Sequence, residues 1–406
     1  METLNWVRRL NYLGHSVGGS DKLINLNPDE LLDIAQSATG LSDFGDDNLE
    51  PDYYENVKNL DDAGLHTFGR LQVREKLLRC LRNRLFISNK IKLQPAILNE
   101  VVDKPLIITG MSHTGTTILF ELLSQDLFFR SALGFEAICP AEPIPGSLAG
   151  GVDREKMAQS SLGFIADIQL EFKAIHTQQY DLSAECWIII DRVLDYIFSP
   201  AREIDEYQTW DKQVDNYSRY FWHKKVLQLL QYGSPIKPSL LKCPSHIHFM
   251  KQILEYYPNS RIIHTHRDPV KAIPSLYSLE KSAYSLSMET CDKKKIRSAV
   301  LTMSEGGLHK IIKQRQAGII PENQITDIHF KDLLSDPVAT IRTAYKNLGI
   351  EFSEEFKERI LNYLDKRPRN KYGKHNYQPE DQGLSNEKIR EQFRFYTDHY
   401  NIALEA

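Results

Sequence analysis

Residues 105–119 read PLIITGMSHTGTTIL, and this stretch decides the fold. Positions 106–109 form a short apolar, β-branched run that meets Gly110. Such a run reads as a buried strand emptying into a loop. The next segment, TTILFELLSQ at 116–125, has helical spacing. Strand, glycine loop and helix in that order open a βαβ unit.

The same grammar recurs downstream. Short strands are expected at 239–242, 261–266 and 325–330, with helices at 247–257 and 269–279. This alternation predicts an α/β fold: a mostly parallel sheet flanked by helices in three layers. Residues 153–232 read as wholly helical. They are expected to cap the C-terminal edge of the sheet, where such folds bind ligands. Residues 1–100 read as a helical region packed on the core, and 101–406 as the main domain. Within the first region, LQVREKLLRCLRNRL at 71–85 has the pattern of an amphipathic helix. The acidic stretch 43–62 reads as a solvated loop with a helix inside it.

The bulk numbers narrow the function. With 406 residues and 41% hydrophobic composition, the chain can bury a large core. A net charge of −4 offers no basic excess for nucleic acid and suits a neutral or cationic small molecule. The five cysteines are far apart and form no CxxC, so neither a disulfide framework nor a zinc site is expected. No apolar run is long enough for a membrane span, and the first residues lack a signal-peptide core. A soluble cytoplasmic protein is expected, and a homo-oligomer is compatible with the sequence.

Two segments carry chemistry. The first, GMSHTGTT at 110–117, has the GxxxxG spacing of a phosphate-binding loop. Its glycines let backbone N–H groups turn onto an anion, and the next helix adds its dipole. Thr116 and Thr117 add hydroxyls. A nucleoside triphosphatase or P-loop kinase needs a lysine where Thr116 stands, which disfavours both. The second segment, HRDPVKAIPS at 266–275, puts Arg267 after a strand and Ser275 eight residues on. About two helical turns separate them, so both can face one phosphate. The bland alternatives are a plain glycine turn and an Arg–Asp pair capping a helix.

Together and in this order the two segments resemble the sulfotransferases that use 3′-phosphoadenosine 5′-phosphosulfate (PAPS). The 5′-phosphosulfate loop of that family is similar to PxxxxGxPRSGTTxL, and its 3′-phosphate element is an arginine with a serine eight positions later. LKCPSH at 241–246, DIHFKDLLSDP at 327–337, DFGDDNLEP near 43 and HNYQPEDQGL at 375–384 also resemble segments of a broad, bacterial-type group of these enzymes. The resemblance implies a P-loop-like fold and sulfuryl transfer from PAPS to a hydroxyl or nitrogen of a small molecule, with no metal. It implies a cofactor site of Ser112, His113, Thr114, Gly115, Thr116, Thr117, Arg267 and Ser275. Lys374, in a late basic run from Lys366 to His375, is a further candidate for the 3′-phosphate. His113 stands where the family usually has Arg or Lys, so its positive charge is lost near neutral pH. That substitution keeps a second reading in view, a PAPS-binding scaffold without catalysis.

Sulfuryl transfer must remove a proton from the acceptor and stabilise the leaving phosphate. The resemblance favours Glu136, in SALGFEAICPAEPIP, as the base. Glu185, His246 and His176 are alternatives, whereas His248 and His264 read as packing residues. Lys242, at a strand end, is expected to replace the cation missing at His113. Phe164, Phe172, Tyr180, Trp187, Tyr196, Trp210 and Trp222 in the cap are candidates for core or for an apolar acceptor pocket. Asp181, Glu185 and Asp191 there would suit a cationic acceptor.

Overall fold

The computed structural model describes residues 4–45, 50–142, 153–168, 179–191, 217–366, 383 and 385–405. At its centre is a four-stranded sheet, with β1 (Leu106–Gly110), β2 (Leu240–Lys242), β3 (Arg261–His266) and β4 (Ile325–His329) in the order β2-β1-β3-β4. Every pairing is parallel: Leu106 sits opposite Leu240, Ile107 opposite Ile262, and His264 opposite Asp327. All four strands lie where the sequence placed them.

β1 and β2 are buried throughout and β3 in all but Arg261, while the edge strand β4 leaves Asp327 and His329 half-buried; successive side chains feed different cores. Ile107, Leu241 and Ile262 join Val226, Ile253, Ile273 and Ile311 on one face. Leu106, Ile108 and Ile263 join Leu119, Phe120, Ile341 and Tyr345 on the other. The result is helix, sheet, helix, the predicted three layers. Of the stretch 153–232, expected to be wholly helical, the described helices are Arg154–Ile168, Cys186–Asp191 and Tyr217–Gln231. Residues 179–185 are not helical, because their backbone pairs with 132–134 instead: the Gly134 N–H donates to the Leu182 carbonyl at 2.9 Å and the Ala184 N–H to the Ala132 carbonyl at 2.8 Å.

The sequence underestimated one element. The expected helix at 71–85 runs from Thr67 to Leu93, 27 residues. Its Leu77, Leu81 and Leu85 join Leu31, Val57 and Leu60 in an N-terminal core, while Phe86 and Ile87 join the main one. Arg70, Arg79 and Arg84 on it are buried. Arg70 donates to the carbonyls of Ile24 (2.7 Å) and Asp61 (3.2 Å), and Arg84 lies over the Trp222 ring at 4.3 Å. Buried arginines with such partners give the sequence the look of a solvated face.

Four fully buried histidines create a pH liability. Burial holds His223 (down to about 3), His246, His264 and His266 below the ordinary imidazole range. Below pH ~6.5 the unfolded chain therefore binds protons that the native chain refuses, so stability present above that pH is lost as pH falls. Each such ring contributes a slope of about 1.4 kcal/mol per pH unit. His264→Phe, which removes a ring with no hydrogen-bond partner, should flatten the urea-unfolding profile between pH 6.5 and 5 by about that slope. An unchanged slope would mean that His264 titrates alike in both states.

Candidate active site

The site lies at the C-terminal ends of the strands, as open parallel sheets favour. The β1 end gives the loop 110–115, the β2 end Lys242, the β3 end Arg267 and the β4 end Phe330.

The loop glycines answer to space as well as to dihedral freedom. Gly110 has φ +147°, and a Cβ there would stand 2.7 Å from the Thr265 carbonyl oxygen. Gly115 has φ +95°, and a Cβ there would come within 2.6 Å of the Phe330 ring. That ring lies under the Arg267 guanidinium, 4.2 Å from its carbon. Gly115→Ala therefore strains the backbone and pushes the platform of Arg267. A loss of about 1–3 kcal/mol is expected, read by urea unfolding, together with weaker binding of adenosine 3′,5′-bisphosphate (PAP).

His113 joins the two sequence segments. It adopts φ +65°, uncommon for a residue with a side chain. Its ring Nδ1 is 3.1 Å from Ser275 Oγ, and its carbonyl accepts from Arg267 Nη1 at 3.3 Å. The loop, Arg267 and Ser275 thus form one site. Arg267 stands just before the helix Pro269–Ser287 and Ser275 lies within it; the helix start is capped by Asp268 accepting from the Val270 N–H at 3.0 Å. Asp268 Oδ2 accepts from the Glu405 N–H at 2.7 Å, so this carboxylate is committed to the fold.

The threonines divide. Thr114 is buried, with its hydroxyl 2.6 Å from both the Met111 carbonyl and Thr265 Oγ1, so it has only its backbone N–H to offer an anion. Thr116 is buried at the start of the helix Thr116–Leu123, while Thr117 is exposed. Ser112 is half-buried on the turn.

Beside Thr117 lies a buried ion pair. Lys242 Nζ is 2.6 Å from Glu185 Oε1 and donates to Thr117 Oγ1 at 3.3 Å. The side chains are only 2% and 10% exposed. Glu136 is placed otherwise. Its Oε1 accepts from Arg130 Nη2 at 2.8 Å, and its Oε2 accepts from the Leu133 N–H at 2.9 Å. Those bonds hold the start of its own helix, Gly134–Ile138, which is the work of a capping carboxylate. The carboxylate next to the loop 110–117 is therefore Glu185, through Lys242, rather than Glu136.

His246 is buried, with Nδ1 2.9 Å from Tyr220 Oη. Burial, with His223 and Arg219 nearby, keeps its ring neutral. His248 and His264 are buried. His176, Lys374 and the rest of the basic run beyond Lys366 lie outside the described residues, as do Phe172, Tyr196 and Trp210. The sequence reading missed Phe330 and Glu405. Glu405 binds Arg267 through Nε at 2.9 Å and Nη2 at 3.1 Å, across 138 residues of chain, and no local signal marks it.

Among the described residues, His264, His266 and Asp327 could surround a metal ion. Yet Arg315 Nη1 donates to both Asp327 oxygens, at 2.9 and 3.0 Å, and His266 Nε2 lies 2.8 Å from one of them. A metal would meet a guanidinium already in place, so the group reads as a charge-paired structural cluster. No helix among the described residues is long and apolar enough to cross a membrane.

Comparisons with known proteins give the family and the fold. The chain is 26% identical over 271 residues to the omega-hydroxy-beta-dihydromenaquinone-9 sulfotransferase Stf3 of Mycobacterium bovis, covering 65% of this chain and 67% of the relative. The fold superposes on the crystal structure of sulfotransferase STF9 from Mycobacterium avium with a TM-score of 0.77 and 26% identity, covering 93% of this chain and 97% of the other. Sulfotransferase STF1 from Mycobacterium tuberculosis shares the fold, with a TM-score of 0.75, 24% identity, and coverage of 90% and 97%. The profile of the Sulfotransferase family matches residues 105–354, and the chain belongs to that family.

Proposed function

We propose that this sulfotransferase takes the sulfuryl group from PAPS and passes it to a hydroxyl or amine of its small-molecule acceptor. The observation that carries this reading is the double contact of His113 with Arg267 and Ser275. Loop and pair are in direct contact, which supports reading them as the two ends of one adenosine bisphosphate site. The loop 110–117 would hold the 5′-phosphosulfate, through backbone N–H groups and the hydroxyls of Ser112 and Thr117. Arg267 and Ser275 would hold the 3′-phosphate, which suits a guanidinium fork.

In the proposed reaction the acceptor O–H or N–H gives its proton to Glu185 as its heteroatom attacks sulfur. The bond from sulfur to the bridging oxygen breaks, and that oxygen leaves with the electron pair on PAP. Lys242 stands between base and loop. Its shift from Glu185 toward the departing oxygen would restore the basicity of the carboxylate and stabilise the developing charge. His113 is a second donor to the same oxygens. Neither role requires a metal. The named acceptor of the Mycobacterium bovis relative is a hydroxylated menaquinone, which favours a hydroxyl on an apolar molecule here.

The test is an incubation with PAPS and a panel of alcohols and amines, including prenylated quinone alcohols, in the presence of EDTA. PAP release that depends on one acceptor class is expected, and no transfer from ATP. Tight PAPS binding with no turnover on any acceptor would favour a scaffold instead.

A further inference from the structure

Arg267 is held on more sides than a surface arginine needs. Its Nε and Nη2 donate to the two Glu405 oxygens, its Nη1 to the His113 carbonyl, and its plane lies on Phe330. Glu405 is fixed in turn by its backbone: its N–H donates to Asp268 Oδ2 at 2.7 Å, and its carbonyl accepts from Arg390 Nη2 at 3.1 Å. A guanidinium has five N–H donors. The three contacts above leave one on each terminal nitrogen.

We propose that Glu405 is a positioning residue of the donor site. It clamps the Nε–Nη2 edge of Arg267 and so presents the remaining N–H groups of Nη1 and Nη2 to the 3′-phosphate. The inference rests on the donor assignment above. The opposite role is also physically sensible. A carboxylate on a phosphate-binding arginine can act as a rival for the phosphate, and in that case removing Glu405 would tighten binding. The backbone anchors decide between the two: a carboxylate bound to be displaced has no need of a tail held at both its N–H and its carbonyl.

Calorimetry with PAP and with adenosine 5′-monophosphate, which lacks the 3′-phosphate, provides the test. Glu405→Ala should weaken PAP binding about tenfold and leave the monophosphate unchanged. Glu405→Gln, which keeps one acceptor in place, should fall between. In an Arg267→Ala background, Glu405→Ala should have no further effect. KM for PAPS should rise while kcat holds. Tighter PAP binding by Glu405→Ala, equal losses for both nucleotides, or an undiminished effect without Arg267 would each overturn the positioning role. If the wild-type chain binds no PAP, the donor assignment and this role fall together. If it binds PAP through Arg267 and ignores Glu405, only the role falls.

Discussion

Glu185→Gln should lower the rate of sulfuryl transfer by about 10²–10⁴-fold while leaving PAP affinity intact. The substitution keeps the size of the side chain and an oxygen that can accept from Lys242, 2.6 Å away in the native pair. It removes the proton acceptor. A positioned base contributes in this range because the acceptor must be deprotonated as the S–O bond forms. Single-turnover measurements with pre-bound PAPS isolate the effect from cofactor binding. Glu136→Gln is the control. Its carboxylate caps a helix and pairs with Arg130, so a modest loss of stability and near-normal turnover are expected. Full turnover by Glu185→Gln, or the large loss at Glu136 instead, would return the base to Glu136.

Arg267→Ala should weaken PAP by about 3 kcal/mol, roughly a 10²-fold loss, the scale of removing two charge-assisted hydrogen bonds. Binding of adenosine 5′-monophosphate should change little. A plain loss of fold would depress both ligands together. The variant also leaves Glu405 without its cation, so urea unfolding should accompany the calorimetry to separate stability from affinity. Equal effects on the two nucleotides would place the 3′-phosphate elsewhere, and the basic run beyond Lys366 would be the next place to look.

Much of this was legible in the sequence, for physical reasons. Parallel strands buried on both faces must be short and apolar, so β1 and β3 announced themselves. The loop 110–117 and the pair Arg267/Ser275 are local patterns, of the kind a bound phosphate would impose through the spacing of its ligands. The proton acceptor is different. Glu136 and Glu185 both stand at the start of short helices, and sequence alone gives each a similar setting. What distinguishes them is who lies opposite: Arg130 and a backbone N–H for one, Lys242 for the other. Arg79 and Arg84 hid the burial of their helix, because a buried arginine and a solvated one are the same letter. Glu405 was invisible because its partner is 138 positions away.

The sheet has a consequence for how the chain acquires its structure. β1 is central, yet both of its neighbours, β2 and β3, come more than a hundred residues later. A growing polypeptide cannot complete that pairing until β3 has been synthesised, and such distant closures slow folding. The helices before residue 93 have an apolar cluster of their own. They can condense first, while β1 waits as an unpaired apolar segment. That interval is when the nascent protein is most exposed to self-association and has most need of a chaperone.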